Sequence, residues 1–457
     1  MDHRHGRIYP SQRNTNDAVP ILGNELDDIG DDHLKLVRET EGHAASRDRD
    51  KDYRRRIKRI YQWLETNCVD YCKIGVKTLS NEEKNDPDVF HYRNEKDLVY
   101  EGMNPKYIKS FLSSKKVKSN GNLYSFPDIR KYKDAIQWGA NQVSAALPTN
   151  FYIEMDKFLT GFKKETKMAK RQGKLDEKEA DPISWKLYSL ICQWAIENRN
   201  LLVWVFTIMQ WNCMARAVNI GALAYHQFST SDDNIQIKYD KSKKDQLGEK
   251  CNDKHIYANP YDPLVCPFLS LGIWFAHDVE RLSNQHSLFG YDSTHEKAAQ
   301  QTYCNQLSEI VKSHSCEVKQ YVREKHMNAH GLRKGLATHA TSGTTCPPSL
   351  PSICNRGEWA MGKVFDVYWH FCNSGDYYLG RVLCGLDPNN ESFSVLPPHF
   401  NVDGDLMSDA DIKTGMQLMY GSILESHGTN SELNPTGFLL IIFASVIYHS
   451  DWLIEKF

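Results

Sequence analysis

With 457 residues, 40% of them hydrophobic and 11% aromatic, the chain can bury more than one core, which excludes a wholly disordered protein. A formal net charge of -2 excludes a chain that is basic throughout, yet residues 101–180 hold 16 Lys and Arg against 9 Asp and Glu. That unevenness predicts one nucleic-acid-facing module with acidic flanks.

Twelve cysteines form no compact framework, and the start from Met1 to Arg13 is polar and charged rather than a secretory leader. Both features predict a reducing compartment, nucleus or cytosol. Cys68 with Cys72, and Cys251 near His255, lack a second pair to complete a zinc site, so no metal and no other cofactor is expected. The apolar run over residues 438–447 is shorter than the roughly 20 residues a bilayer needs. It reads as a buried C-terminal helix, and no membrane partner is expected.

In chain order, residues 1–50 are polar and aperiodic and read as disordered. Order should begin near Tyr53, where Ile57, Ile60, Tyr61 and Leu64 repeat at helical spacing among Arg54, Arg55, Arg56, Lys58 and Arg59. Further helices are predicted over 105–114, 127–147 and 151–170. They carry Lys109, Lys115, Lys116, Lys118, Arg130, Lys131 and Lys133, a candidate basic surface. Their aromatics Tyr107, Phe111, Tyr124 and Tyr132 suit a core equally well. Residues 163–180 read as an interdomain linker. Asp181 and Pro182 suit the N-cap and first turn of a new helix. Two strongly apolar helices follow within 184–228. Ile235, Ile237 and Tyr239 alternate as in a strand, and 255–258 is the return strand beyond a charged turn. Pro260, Pro263 and Pro267 end it, and helices resume from Phe268 to about Asp387. Residues 401–457 read as an acidic linker and a C-terminal helix.

Cutting DNA without metal or ATP requires a protein nucleophile, fixed cations for the phosphorane charge, and a proton for the departing sugar oxygen. Arg meets two phosphate oxygens with its planar fork. Lys and His move protons. Tyr keeps the bond energy in its phosphate ester, so religation needs no cofactor. The chain offers this set in order. Arg216 lies between apolar helices, and Lys243 lies in the charged turn beside Lys241 and Lys244. His330 and Arg333 stand at i and i+3 in His330-Gly331-Leu332-Arg333. Trp359 precedes Tyr368 by nine residues, about two and a half helical turns. Tyr377 and Tyr378, farther from Trp359, break that spacing. Each residue also has a plainer role open to it: a structural ion pair for Arg216, a solvated face for the lysines, packing for His330 and Trp359.

The ordered pattern of Arg, hairpin Lys, HxxR, Trp and Tyr resembles that of tyrosine recombinases. The local wording resembles the recombinases of Crypton DNA transposons: Lys243-Lys244-Asp245-Gln246 with Gly248, residues 255–260, Cys266-Pro267, residues 357–362, Gly375-Asp376, Gly380-Arg381 and residues 444–449. The resemblance covers roughly 50–457 and is densest over 210–390.

It implies a mainly α fold. A helical N-terminal DNA-binding domain of core-binding, SAM-like type (51–180) would precede a tyrosine-recombinase catalytic domain (181–400), mostly helical with a small antiparallel β-sheet. It implies that Tyr368 attacks the scissile phosphate, that Arg216 and Arg333 hold the non-bridging oxygens, and that Lys243 protonates the leaving 5′-oxygen. His330 would assist proton transfer, and Trp359 would donate its indole N–H. Asn219, three residues after Arg216, departs from the acidic residue of many relatives. The implied partners are double-stranded DNA and further copies of the chain, as a tetramer on paired sites, in the nucleus. A Crypton-derived protein that binds DNA without cleaving it, a type IB topoisomerase and a phage-type integrase are the alternatives.

Overall fold

The computed structural model describes residues 47–68, 76–78, 96–175, 180–231, 233–240, 252–277, 288–289, 296–322, 327, 329–359, 373–400, 407–427 and 435–457. The predictions for residues 1–46, and for Lys243 and Tyr368, fall outside them. The chain divides into two units, Met1–Glu177 and Lys178–Phe457. The described residues are mainly helical with a small antiparallel sheet, as expected.

In the first unit, α1 (Arg47–Asn67) is followed by the short paired strands β1 (Val76–Thr78) and β2 (Lys96–Leu98). Then come α2 (Pro105–Lys115), α3 (Phe126–Gln142) and α4 (Thr149–Arg171). Apolar residues at helical spacing close one core: Ile57, Ile60 and Leu64, then Ile108, Phe111 and Leu112, Ile129 and Ile136, and Phe151, Met155 and Phe162. Asn104 and Ser125 cap α2 and α3 by accepting backbone N–H bonds. The predicted linker is instead helix as far as Arg171, because Lys, Glu, Met and Ala favour helix and Thr166 and Ala169 are buried. Part of the basic surface is neutralised. Lys109, Lys116 and Lys133 pair with Glu154, Glu165 and Asp156 on α4. Phe111 and Tyr132 are core rather than surface, edge to face at 5.1 Å.

In the second unit, Asp181 and Pro182 do not start a helix; Ser184 caps α5 (Trp185–Glu197) by accepting from Leu187 N. Residues 181–183 are in no helix or strand, and Ile183 N donates to Gly331 O. In α6 (Leu201–Asn212), every residue from Val203 onward is buried. Each such Val, Ile or Phe contributes at most about 1.5–3 kcal/mol. Beyond α7 (Ala217–Gly221), β3 (Phe228–Ser231), β4 (Asn234–Ile237) and β5 (Lys254–Ile256) form one antiparallel sheet. β4 and β5 correspond to the two predicted strands. β3 was not predicted, because Phe228-Ser229-Thr230-Ser231 carries little apolar alternation.

Helices α8 (Pro267–His277), α9 (Glu296–Ser313), α10 (Ser315–Val318), α11 (Ala329–Ser342), α12 (Leu350–Arg356) and α13 (Asn373–Leu383) follow. The expected acidic linker instead carries a helix, α14 (Asp409–His427), and α15 (Pro435–Tyr448) and α16 (Ser450–Lys456) stand where one C-terminal helix was expected. Among the described residues no single helix is long and apolar enough to cross a membrane. Leu439, Ile442 and Phe443 of α15 are buried in this unit's own core, where Gly272 of α8 lets the two helices approach closely.

Gly335 fixes how α11 sits. A Cβ there would stand 1.7 Å from Ile183 O. Helix propensity favours Gly335→Ala by about 1 kcal/mol, but the clash is with backbone, and such overpacking costs about 1–3 kcal/mol. The clash should win. Gly335→Ala should lower the unfolding midpoint by about 2–4 °C or more. A raised midpoint in a thermal melt would show that residues 181–183 do not press on α11.

Candidate active site

Arg216 is placed by the way α6 ends. Met214 takes a left-handed conformation (φ 54°), with Met214 N donating to Trp211 O and Ala215 N to Gln210 O, a Schellman turn. Arg216 then caps α7 with extended backbone. The buried Gln210 ties this turn to the next contributor. Its Nε2 donates to Ala215 O (3.4 Å) and to Ala329 O (2.9 Å), the residues just before Arg216 and His330.

His330 is exposed on the first turn of α11, and Arg333 lies one turn further, 3% exposed. Arg333 donates to Gly357 O, and its guanidinium lies 5.2 Å from the centroid of the Trp359 ring. Burial, and then the charge of Arg216, pulls Arg333 down to about 10, still protonated at neutral pH. Partial burial, then Arg333, Lys334 and Arg216, hold His330 below its ordinary value of 6.5. The imidazole is therefore neutral at pH 7.

Trp359 follows a second Schellman turn. Glu358 N donates to Asn355 O and Trp359 N to Cys354 O, and Glu358 is left-handed (φ 53°). A side chain there costs roughly 1 kcal/mol relative to glycine. Glu358 faces two cations: Arg216 Nη1 at 3.4 Å from Oε2, and Lys254 Nζ at 3.9 Å from Oε1.

Arg356 anchors this turn. It is 1% exposed, pairs with Asp376 at 2.8 Å, and donates from Nη2 to Asn212 O and to His255 O. Asp376 also accepts from His255 N and Nδ1. Burial pushes the Asp376 carboxyl up, but Arg356 and the His255 bonds outweigh it and hold the carboxyl below its usual range. Gly380 rests on His255 O, and Arg381 stacks on Tyr257 and pairs with Asp233. The Gly375-Asp376 and Gly380-Arg381 pairs therefore serve as scaffold.

The structure thus brings Arg216, His330, Arg333 and Trp359 together. Trp359 is the last described residue before the stretch that contains Tyr368, and α13 begins five residues after that tyrosine. The sequence reading missed Gln210, Lys254, Arg356 and the role of Glu358. A polar residue inside an apolar helix is the signal that marks Gln210; the others carry no periodic signal. Two guanidiniums, one of them paired with the Glu358 carboxylate, and a neutral imidazole can bind a phosphodiester and stabilise added negative charge. No family model matches this chain, and no curated protein matches it.

Two predictions follow from the electrostatics. Asp376→Ala strands Arg356 in the interior and should cost about 3–5 kcal/mol in denaturant unfolding; a loss below about 1 kcal/mol would show the pair to be dispensable. The His330 imidazole, followed by NMR, should titrate with a midpoint below 6.5. Replacing Arg333 with Met should move that midpoint upward, and an unmoved midpoint would remove the Arg333 charge from the causes.

Proposed function

We propose that the chain is a DNA strand-exchange recombinase of a Crypton-like mobile element, cutting and rejoining duplex DNA through a 3′-phosphotyrosyl link. The observation that carries this reading is the meeting of Arg216, His330, Arg333 and Trp359. They come from three separate stretches of chain, with the chemistry that such a reaction needs and in the chain order of the recombinase pattern.

In this reading the Tyr368 oxygen attacks the scissile phosphorus, forms the 3′-phosphotyrosyl ester and releases the 5′-oxygen. Arg216 and Arg333 hold the non-bridging oxygens as charge develops on them. Lys243, or its neighbour Lys241 or Lys244, delivers the proton that the 5′-oxygen takes up. Neutral His330 can accept the proton that Tyr368 gives up. Trp359 packs under Arg333 and presents its indole N–H. The ester conserves the energy of the broken bond, so a free 5′-hydroxyl reverses the step or, from a second duplex, exchanges strands. The partners are double-stranded DNA and other copies of the chain, as a tetramer on two paired sites, in the nucleus. Phosphate contacts dominate such binding, so affinity should fall steeply with salt.

The test is a nicked duplex that traps the covalent step. Wild-type protein should form an adduct that survives SDS, and Tyr368→Phe should form none. An adduct with Tyr368→Phe would remove the nucleophile assignment. Tight binding without any adduct would favour a binding protein that does not cleave. Efficient relaxation of supercoils by the monomer would favour a topoisomerase.

A further inference from the structure

We propose that Glu358, backed by the buried ammonium of Lys254, is the positioning residue that holds Arg216 in the orientation a phosphate needs. The inference rests on the reading above. It assigns the carboxylate that Asn219 does not supply. Asn219 stands three residues after Arg216, carries no charge, and buries its Nδ2 without a hydrogen-bond partner.

The geometry is that of a chain of three charges. One oxygen of Glu358 faces Arg216 Nη1 at 3.4 Å and the other faces Lys254 Nζ at 3.9 Å. Exposure falls along the chain, from 25% for the Arg216 side chain to 14% for Glu358 and 1% for Lys254. Arg216 therefore reaches the solvent side where DNA would lie, and Lys254 does not. Lys254 Nζ has no hydrogen-bond partner, and the nearby Tyr239 ring centroid lies 5.7 Å away. Burial lowers the proton affinity of Lys254, and the opposite charge of Glu358, followed by that of Asp376, works to keep the ammonium charged.

The backbone points the same way. Glu358 occupies the left-handed position that closes a helix, where glycine is favoured, while Gly357 stands one residue too early to fill it. Left-handed non-glycine residues cluster at functional sites, and Glu358 is one whose side chain faces two cations. A carboxylate beside a phosphate site would by itself repel the substrate. Lys254 behind it cancels that charge, so Glu358 orients Arg216 without weakening the field that draws the phosphodiester.

The experiment measures single-turnover adduct formation by the full chain on the nicked duplex, with binding followed separately. Glu358→Gln should slow adduct formation by about 10- to 100-fold at saturating DNA, the scale of a misplaced reacting group. Its affinity should change less than about threefold. Glu358→Asp should recover part of the rate. In an Arg216→Ala background, Glu358→Gln should have little further effect, because both changes remove one interaction. A merely structural role would instead multiply the two losses. The double variant Lys254→Met with Glu358→Gly removes both charges and the left-handed strain together. It should fold, as judged by its melt, and be as slow as Glu358→Gln. If wild type cleaves and Glu358→Gln keeps its rate, or the losses multiply, the proposal is overturned while the recombinase reading stands. If wild type forms no adduct, both fall.

Discussion

Arg356 and Asp376 are both almost without solvent exposure, so their charges must satisfy each other inside the protein. The ion pair, with His255 and the carbonyl of Asn212, joins four pieces of chain: the ends of α6 and α12, strand β5, and the start of α13. Three of these pieces lead directly to residues of the candidate site. Four residues past Asn212 is Arg216. Two and three past Arg356 are Glu358 and Trp359. Lys254 is next to His255. Desolvating such a pair is costly, and replacing it with apolar residues of the same shape is often harmless to stability. Its value here lies in geometry. It sets the register of four elements at one point, and polar groups that must be satisfied tolerate few alternative packings.

Around that anchor, two helix ends do the aiming. Met214 and Glu358 are both left-handed residues in Schellman turns, and neither is glycine. The chain turns sharply at each and delivers Arg216 and Trp359 next to the helix that carries His330 and Arg333. Gln210 then bridges the carbonyls before Arg216 and His330, so two of the three contributing stretches share one amide. Burial first, and then the neighbouring guanidiniums, lower the proton affinity of both His330 and Arg333. A phosphate entering such a site would exchange water for fixed donors with little rearrangement.

Much of this was legible in the sequence, and the remainder was hidden for identifiable reasons. Helices over the apolar periodicities at 57–64, 105–114 and 151–170 are present, since amphipathic spacing reports directly on packing. The HxxR pair was legible because its i, i+3 spacing is local to one helix, and Trp359, 26 residues beyond Arg333, was reached only through the longer pattern. Partners distant in sequence left no such trace: Glu358 meets Arg216 across 142 residues. The charged stretch after Lys163 reads as a linker because its charge masks good helix formers. The basic surface of the first unit reads as stronger than it is, because the carboxylates that neutralise three of its lysines lie on a different helix. Lys243 and Tyr368 rest on the sequence pattern.

The central claim is a covalent one, so the most direct measurement is to identify the bonded atom. Trypsin would release residues 364–381 from a trapped protein–DNA adduct, a peptide holding Tyr368 together with Tyr377 and Tyr378. Fragment-ion mass spectrometry can place the residual nucleotide among the three. The account predicts the phosphate on Tyr368. A phosphate on Tyr377, on Tyr378 or on any residue outside this peptide would contradict it.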